Sequence, residues 1–319
     1  MKLLPFLIMV LLIAVVLTTQ ISTAKKGLFS GQILDVQLEA FVSDVPDTLS
    51  YINEKEEAVK TNPQDAEAWV SIGKTQLKAE RWSESELTFE KALRIDSSNT
   101  DAWYGYLLSI GEQGDNEALL QKAGEAIEKV PNFSDGYFYR GYALSELERY
   151  EEAIEAYEQA LKIDPKNAIA LNNKGNALYH LGKYEEAIEA YDQALKIEPK
   201  NAYAWYNKGT ALHVLGKYEE AIEAYDQALE TDPEDATVWY NKGTAFGNLG
   251  KYEDALMAFN QALKIEPKYA NAWINKGNAL DELGRSEEAI EAYDQALKID
   301  PNDADAIANR KITMSKLNK

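Results

Sequence analysis

Apolar residues between Ala66 and Asp303 fall into two alternating helical stripes that return every 34 residues. In the copy that begins at Ala202, Trp205, Lys208, Gly209 and Leu212 are spaced as neighbours on one helical face. Further on, Ala221, Ala224, Tyr225, Ala228 and Leu229 form a second stripe of the same kind. The spacing predicts two helices, with Gly216 breaking the chain between them. Asp232-Pro233 ends the second, because proline cannot continue a helix. The copy before it reads AIALNNKGNALYHLGKYEEAIEAYDQALKIEPKN from Ala168, and a later one reads ANAWINKGNALDELGRSEEAIEAYDQALKIDPND from Ala270. A fixed period of this length signals stacked supersecondary units.

The punctuation keeps the same beat. Proline stands at Pro63, Pro131, Pro165, Pro199, Pro233, Pro267 and Pro301, with Ser97 in the one remaining slot. Tryptophan recurs at Trp69, Trp103, Trp205, Trp239 and Trp273, with Tyr137 and Leu171 between. Small residues are expected where two backbones approach closely. That accounts for Gly73, Gly141, Gly175, Gly209, Gly243 and Gly277 in the first helices and for Ala92, Ala126, Ala160, Ala194, Ala228, Ala262 and Ala296 in the second. The large partners Phe89, Tyr157, Tyr191, Tyr225, Phe259 and Tyr293 are expected to fill the space left by them. These residues are therefore assigned to the core.

Taken together, these positions resemble the tetratricopeptide repeat, whose pattern is Trp, Leu-Gly, Tyr, Ala, Phe/Tyr, Ala and Pro at fixed offsets. The resemblance implies an all-α fold, a right-handed superhelical solenoid of antiparallel helix pairs. Seven units are expected, at 66–99, 100–133, 134–167, 168–201, 202–235, 236–269 and 270–303. One helix pair cannot bury its own apolar face, so each unit depends on its neighbours and stability is nearly a sum along the array.

Two units depart from the pattern. The first carries Ser85 where alanine is usual and Ser97 for proline, and reads as a worn copy. The second exchanges large for small, with Leu107 for the helix glycine, Leu119 for the small alanine and Ala123 for the aromatic. Its Gly105, Gly111, Gly114 and Gly124 are expected to loosen it, which makes this unit the softest joint of the array. Residues 47–65 are expected to hold a helix capping the front of the stack, and 304–319 a polar closing helix with a basic end.

Composition narrows the function. The 319-residue chain has no cysteine, which excludes disulfides and thiolate metal sites. Its net charge of −20 argues against nucleic acid and against docking on an anionic membrane surface. Residues 1–24 differ in kind: Lys2, an apolar run from Leu3 to Leu17 and Ser22-Thr23-Ala24 look like a secretory signal. Export is expected, with the segment either cleaved after Ala24 or retained as a membrane anchor. In the linker, 25–46, the alternation of Leu34, Val36, Leu38, Ala40 and Val42 with polar neighbours suggests a short strand. This segment either lies as a loosely docked linker, packs across the first repeat or pairs with another chain.

No catalytic, cofactor or metal constellation is assembled. His180 and His213 stand in different repeats, and the abundant paired carboxylates belong to the outward EEAIEA stripe. In the resembled family, first helices line a concave groove. The resemblance therefore implies Asn172, Asn176, Tyr179, Tyr203, Tyr206, Thr210, His213, Tyr240 and Thr244 as ligand contacts, a set suited to an extended peptide. The rival reading makes them ordinary exposed positions of a near-consensus repeat. One subtype clamps a terminal carboxylate with Lys, Asn and Arg; here the corresponding slots hold Val70, Tyr104, Phe138, Asn172, Tyr206, Tyr240 and Ile274, so that pattern is absent. The recurring Asn-Lys-Gly around Lys174, Lys208, Lys242 and Lys276 is expected to be structural, the alternative being a positive ladder facing an acidic ligand. The expected function is a protein-binding scaffold with a protein or peptide partner. A self-associating envelope protein is the alternative, and the regulatory arm of a separate enzyme a third.

Overall fold

The computed structural model describes residues 38, 41–43 and 49–317. The proposed signal or anchor, 1–24, lies outside the described residues, as does most of 25–46. Residues 49–317 are helix and short turn, with no strand among the described residues. Two compact units divide at Pro165 and Lys166.

In the first unit the helices are α1 (Leu49–Thr61), α2 (Ala66–Lys78), α3 (Trp82–Ile95), α4 (Thr100–Gln113), α5 (Asn116–Lys129), α6 (Ser134–Glu146) and α7 (Tyr150–Ile163). The second unit holds α8 (Ala168–His180), α9 (Tyr184–Ile197), α10 (Ala202–Val214), α11 (Tyr218–Thr231), α12 (Ala236–Asn248), α13 (Tyr252–Ile265), α14 (Ala270–Glu282), α15 (Ser286–Ile299) and α16 (Ala304–Leu317). Within each unit every helix packs on the next. The first helices also touch one another, α2 with α4 and α4 with α6, then α8, α10, α12, α14 and α16 in sequence. Each unit thus presents a continuous face made of first helices.

Helix starts follow from cap chemistry. The side chains of Asp65, Asn99, Asn167, Asn201 and Asp235 each accept a hydrogen bond from an N–H of the first turn, satisfying a donor the helix itself cannot. Tryptophan and proline share one beat for a physical reason. In Trp69, Trp205, Trp239 and Trp273 the indole N–H donates to the carbonyl of Pro63, Pro199, Pro233 and Pro267, at 2.9–3.0 Å, and Trp103 does the same to Ser97. Each ring ties the start of a first helix to the turn that precedes it.

The glycine–aromatic pairing is as expected. A β-carbon built on Gly141, Gly175, Gly209, Gly243 or Gly277 would lie 2.4–2.7 Å from the ring of Tyr157, Tyr191, Tyr225, Phe259 or Tyr293 respectively. The first unit corrects three expectations. Gly105 is required by packing and is not a mere gap: its missing side chain admits the Phe89 ring, which a β-carbon there would meet at 2.2 Å. Gly114 is a helix stop with φ +74. Ser85 is no worn alanine, since its buried hydroxyl meets that of Ser109 at 2.7 Å. Leu107, Leu119 and Ala123 are all fully buried, so the exchange of large and small fits a filled core.

The turn between helices of a pair holds a left-handed residue. Glycine fills it at Gly114, Gly182, Gly216, Gly250 and Gly284, but Glu80 and Glu148 adopt it with φ 55 and 59. A side chain there costs about 1 kcal/mol. Glu148→Gly is therefore expected to stabilise the first unit by up to about 1 kcal/mol, read as a shift in urea midpoint at unchanged slope.

The linker also departs from expectation. Val42 N–H donates to the Leu38 carbonyl at 3.0 Å, so the described residues, 38 and 41–43, belong to a helical turn and not to a strand. With no strand among the described residues to pair with, the Val42 amide finds its acceptor locally.

Candidate functional site: the first-helix face

In the second unit the first helices are joined by side chains one repeat and one residue apart. Asn207 Nδ2 donates to Asn172 Oδ1 at 3.2 Å, Asn241 Nδ2 to the Tyr206 hydroxyl at 2.9 Å and Asn275 Nδ2 to the Tyr240 hydroxyl at 3.0 Å. Each rung uses one of the two N–H groups of its amide. Alongside, Asn248 Nδ2 and His213 Nε2 lie 3.0 Å apart.

The expected contacts divide on this ladder. Asn172 is corrected: at 4% exposure, with Asn207 bonded to it, it is a buried rung and not a surface contact. Asn176 is half-buried and its Oδ1 accepts from the Tyr191 hydroxyl at 2.8 Å, an arrangement repeated by Asn278 and Tyr293 at 2.9 Å. Thr210 and Thr244, both half-buried, turn their hydroxyls onto the carbonyls of Tyr206 and Tyr240 one helical turn back. Tyr179 packs edge-on against Tyr184, and His213 edge-on against Tyr218, each pair 5.2 Å apart. Tyr203, Tyr206 and Tyr240 are half-buried. Burial holds the Tyr206 and Tyr240 hydroxyls above the usual tyrosine range and pushes His213 below the usual histidine value, so at neutral pH this set carries no charge.

One residue escaped the sequence reading. Tyr269 occupies the cap slot filled by Asn167, Asn201 and Asp235 in other repeats, and no side-chain cap bond replaces theirs. Its ring lies 4.9 Å from that of Tyr240. An aromatic in a cap position was the available signal.

Three of the Asn-Lys-Gly lysines make contacts within the fold. Lys208 pairs with Asp192 at 2.6 Å and Lys242 with Asp226, each reaching the preceding second helix. Arg310 repeats the contact with Asp294 at 2.5 Å. The same slot opposite Lys276 holds Asn260; its ammonium lies 4.8 Å over the Trp273 ring. Lys208 and Lys242 are thus neutralised within the fold.

In the first unit the corresponding face carries Lys74, Tyr104 and Tyr139, with Asp135 in the first turn of α6. Burial, and then repulsion from Asp164, push the Asp135 carboxyl up to about 6 from 3.8. The folded state therefore holds a proton that the unfolded state releases between those values, and the stabilisation present below pH 4 is lost as pH rises through about 6. Asp135→Asn is expected to stabilise the chain at pH 7 by on the order of 1 kcal/mol, the gain vanishing below pH 4 in parallel denaturation curves. Among the described residues no group of His, Asp and Glu is placed to hold a metal.

Stacked helix pairs with a neutral, amide-and-aromatic face define a helical-repeat protein of the interaction type. The tetratricopeptide-repeat family model matches residues 56–100, 111–168, 138–202, 172–236 and 240–304. The chain belongs to the tetratricopeptide-repeat family, whose members mediate protein–protein interactions. It is similar to Protein STIP1 homolog of Dictyostelium discoideum, 33% identical over 106 residues, covering 33% of this chain and 19% of that protein. It is also similar to the Hsp70-Hsp90 organizing protein of Triticum aestivum, 27% identical over 145 residues, covering 42% and 25%. The chain thus spans a fifth to a quarter of the length of these curated relatives. Among solved structures it resembles YrrB, described as a TPR protein with an unusual peptide-binding site, with TM-score 0.53, 27% identity and coverage of 59% of this chain and 97% of that one.

Proposed function

We propose that the first-helix face of the second unit binds a protein partner through an extended peptide. The observation that carries this reading is the rung pattern. Asn241 and Asn275 orient the hydroxyls of half-buried Tyr206 and Tyr240, and each amide keeps a second N–H for a peptide carbonyl. The flanking rings of Tyr206, Tyr240 and Tyr269 offer apolar surface for side chains of the bound strand, and holding them in place beforehand lowers the ordering cost of binding. The peptide-binding site named for YrrB supports the reading by analogy.

The chaperones in the names of the curated relatives are not carried over. A carboxylate clamp needs available cations, whereas Lys208 and Lys242 are held by Asp192 and Asp226. Placement outside the cytoplasm belongs to the proposal too, and rests on the sequence of residues 1–24.

The test is a selection of displayed peptides on the chain, followed by titration of the selected peptides into the parent and into Tyr206→Ala/Tyr240→Ala. A tenfold or greater loss of affinity, at unchanged helix content, is expected. Equal affinity for both proteins would place recognition elsewhere and sink the reading.

A further inference from the structure

The turn around Phe41 packs against the first-helix face of the first unit. The Phe41 ring lies 4.6 Å from Tyr104 and 6.3 Å from Phe89, tilted about 45° to both. The Lys74 ammonium stands 4.4 Å over the Phe41 ring and is also 3.3 Å from Asp101. Beside it, Val42 is only 5% exposed, and its N–H closes the turn on Leu38. Of this adjacent aromatic–aliphatic pair, the valine is thereby buried and the Phe41 ring half-buried.

The slots involved are telling. Tyr104 occupies the repeat position that Tyr206 and Tyr240 occupy three and four repeats later, and Lys74 that of Asn176, Thr210 and Thr244. The segment therefore covers, in the first unit, the same lattice positions that form the open face of the second. It differs in chemistry. Tyr104 is backed edge-on by Tyr139 at 5.8 Å, and burial holds the Tyr104 hydroxyl above the usual tyrosine range. Lys74 supplies a cation, which an aromatic face attracts. The stretch from Leu34 to Asp47 carries Asp35, Glu39, Asp44 and Asp47 and no basic residue, so the docked pair lies in an acidic segment.

We propose that the first-helix face of the first unit is a recognition site for a helical turn bearing an aromatic–aliphatic pair in an acidic segment, closed in cis by the chain's own Phe41 and Val42. Only residues 44–48 join this turn to α1, so its effective concentration at the site is on the order of millimolar. A segment of the same chemistry supplied in trans must displace it, and the site is latent until it does. The inference concerns the first unit and stands independently of the peptide reading of the second. Substituting Tyr206 and Tyr240 leaves it untouched.

The experiment titrates a fluorescent peptide of residues 31–46 into the full chain and into Phe41→Ala/Val42→Ser, followed by anisotropy. The emptied variant is expected to bind at least tenfold more tightly than the parent. Adding Tyr104→Ala to that variant, or replacing the peptide's phenylalanine by alanine, is expected to abolish binding. Equal binding by parent and emptied variant, or binding indifferent to Tyr104→Ala, overturns the proposal. A second measurement does not depend on the variants folding: a photo-crosslinking phenylalanine analogue at position 41 is expected to link to α2 or α4 of its own chain. Links only between two chains, or to neither helix, overturn the cis arrangement.

Discussion

Truncating Phe89 to alanine is expected to remove about 3–5 kcal/mol from the stability of the first unit. The ring is fully buried, and two glycines give it room, since β-carbons on Gly73 and Gly105 would lie 2.7 and 2.2 Å from it. Large-to-small changes cost most where the walls cannot collapse, and here two facing walls are bare helix backbone. Relaxation would need α2 and α4 to move together onto α3. Neighbouring contacts resist that movement, because Leu77, Ala92 and Ala102 are themselves fully buried. Hydrogen exchange is the suitable readout, since it assigns the loss to particular helices in an array that need not unfold in one step. Amides of α2, α3 and α4 are expected to lose protection, while those of α12 to α15 keep it. Leu87→Ala, on the exposed side of the same helix, is the control and should stay within about 0.5 kcal/mol of the parent.

The converse change is expected to be nearly as costly. Gly209→Leu inserts a side chain where even a β-carbon would stand 2.6 Å from the Tyr225 ring, itself 1% exposed. Overpacking of this kind costs about 1–3 kcal/mol. The ring cannot swing clear, because it is packed among Leu212, Ala221, Ala228 and Ala245. Tyr225→Ala in the same chain should return part of the loss, and a coupling of about 0.5–3 kcal/mol in the double-mutant cycle would identify the steric pair as its origin. If the two changes simply add, the loss has another cause. Gly247→Ala separates crowding from helix propensity. It lies in a neighbouring first helix with nothing within 4 Å of a built β-carbon, and should be neutral or stabilising.

These two positions mark what the sequence made legible. A glycine and an aromatic kept at constant separation through repeat after repeat can be read as a packed pair, because the same helix geometry brings them together each time. The polar rungs were not legible in the same way. Asn172 looked like an exposed amide until Asn207, one repeat and one residue later, was seen to reach it. Such a bond joins neighbouring first helices, and no periodicity within either helix foretells it. Gly105 misled for a related reason. Glycine in a helix weakens it locally, but here the ring that occupies the vacant volume comes from the previous repeat. Alternating residues around Val42 suggested a strand, and the pattern failed because burial of Phe41 and Val42 is set by the docking face and not by a sheet. Tyr269 shows the opposite case, where a breach of the cap rule was visible in the sequence but its meaning depended on the nearby Tyr240 ring.

The bonds from Trp69, Trp103, Trp205, Trp239 and Trp273 to carbonyls six residues earlier have an optical consequence. Indole emission responds to whether its N–H is held by a fixed carbonyl or by relaxing water, and each of these rings is anchored at the entrance of a different repeat. A series in which one such tryptophan is kept and the others, with Trp82, become phenylalanine would report opening at five addressed positions along the chain without any added dye. The wavelength of emission then follows the separation of one turn from one helix, so fraying from an end and melting from the middle give different orders of colour change.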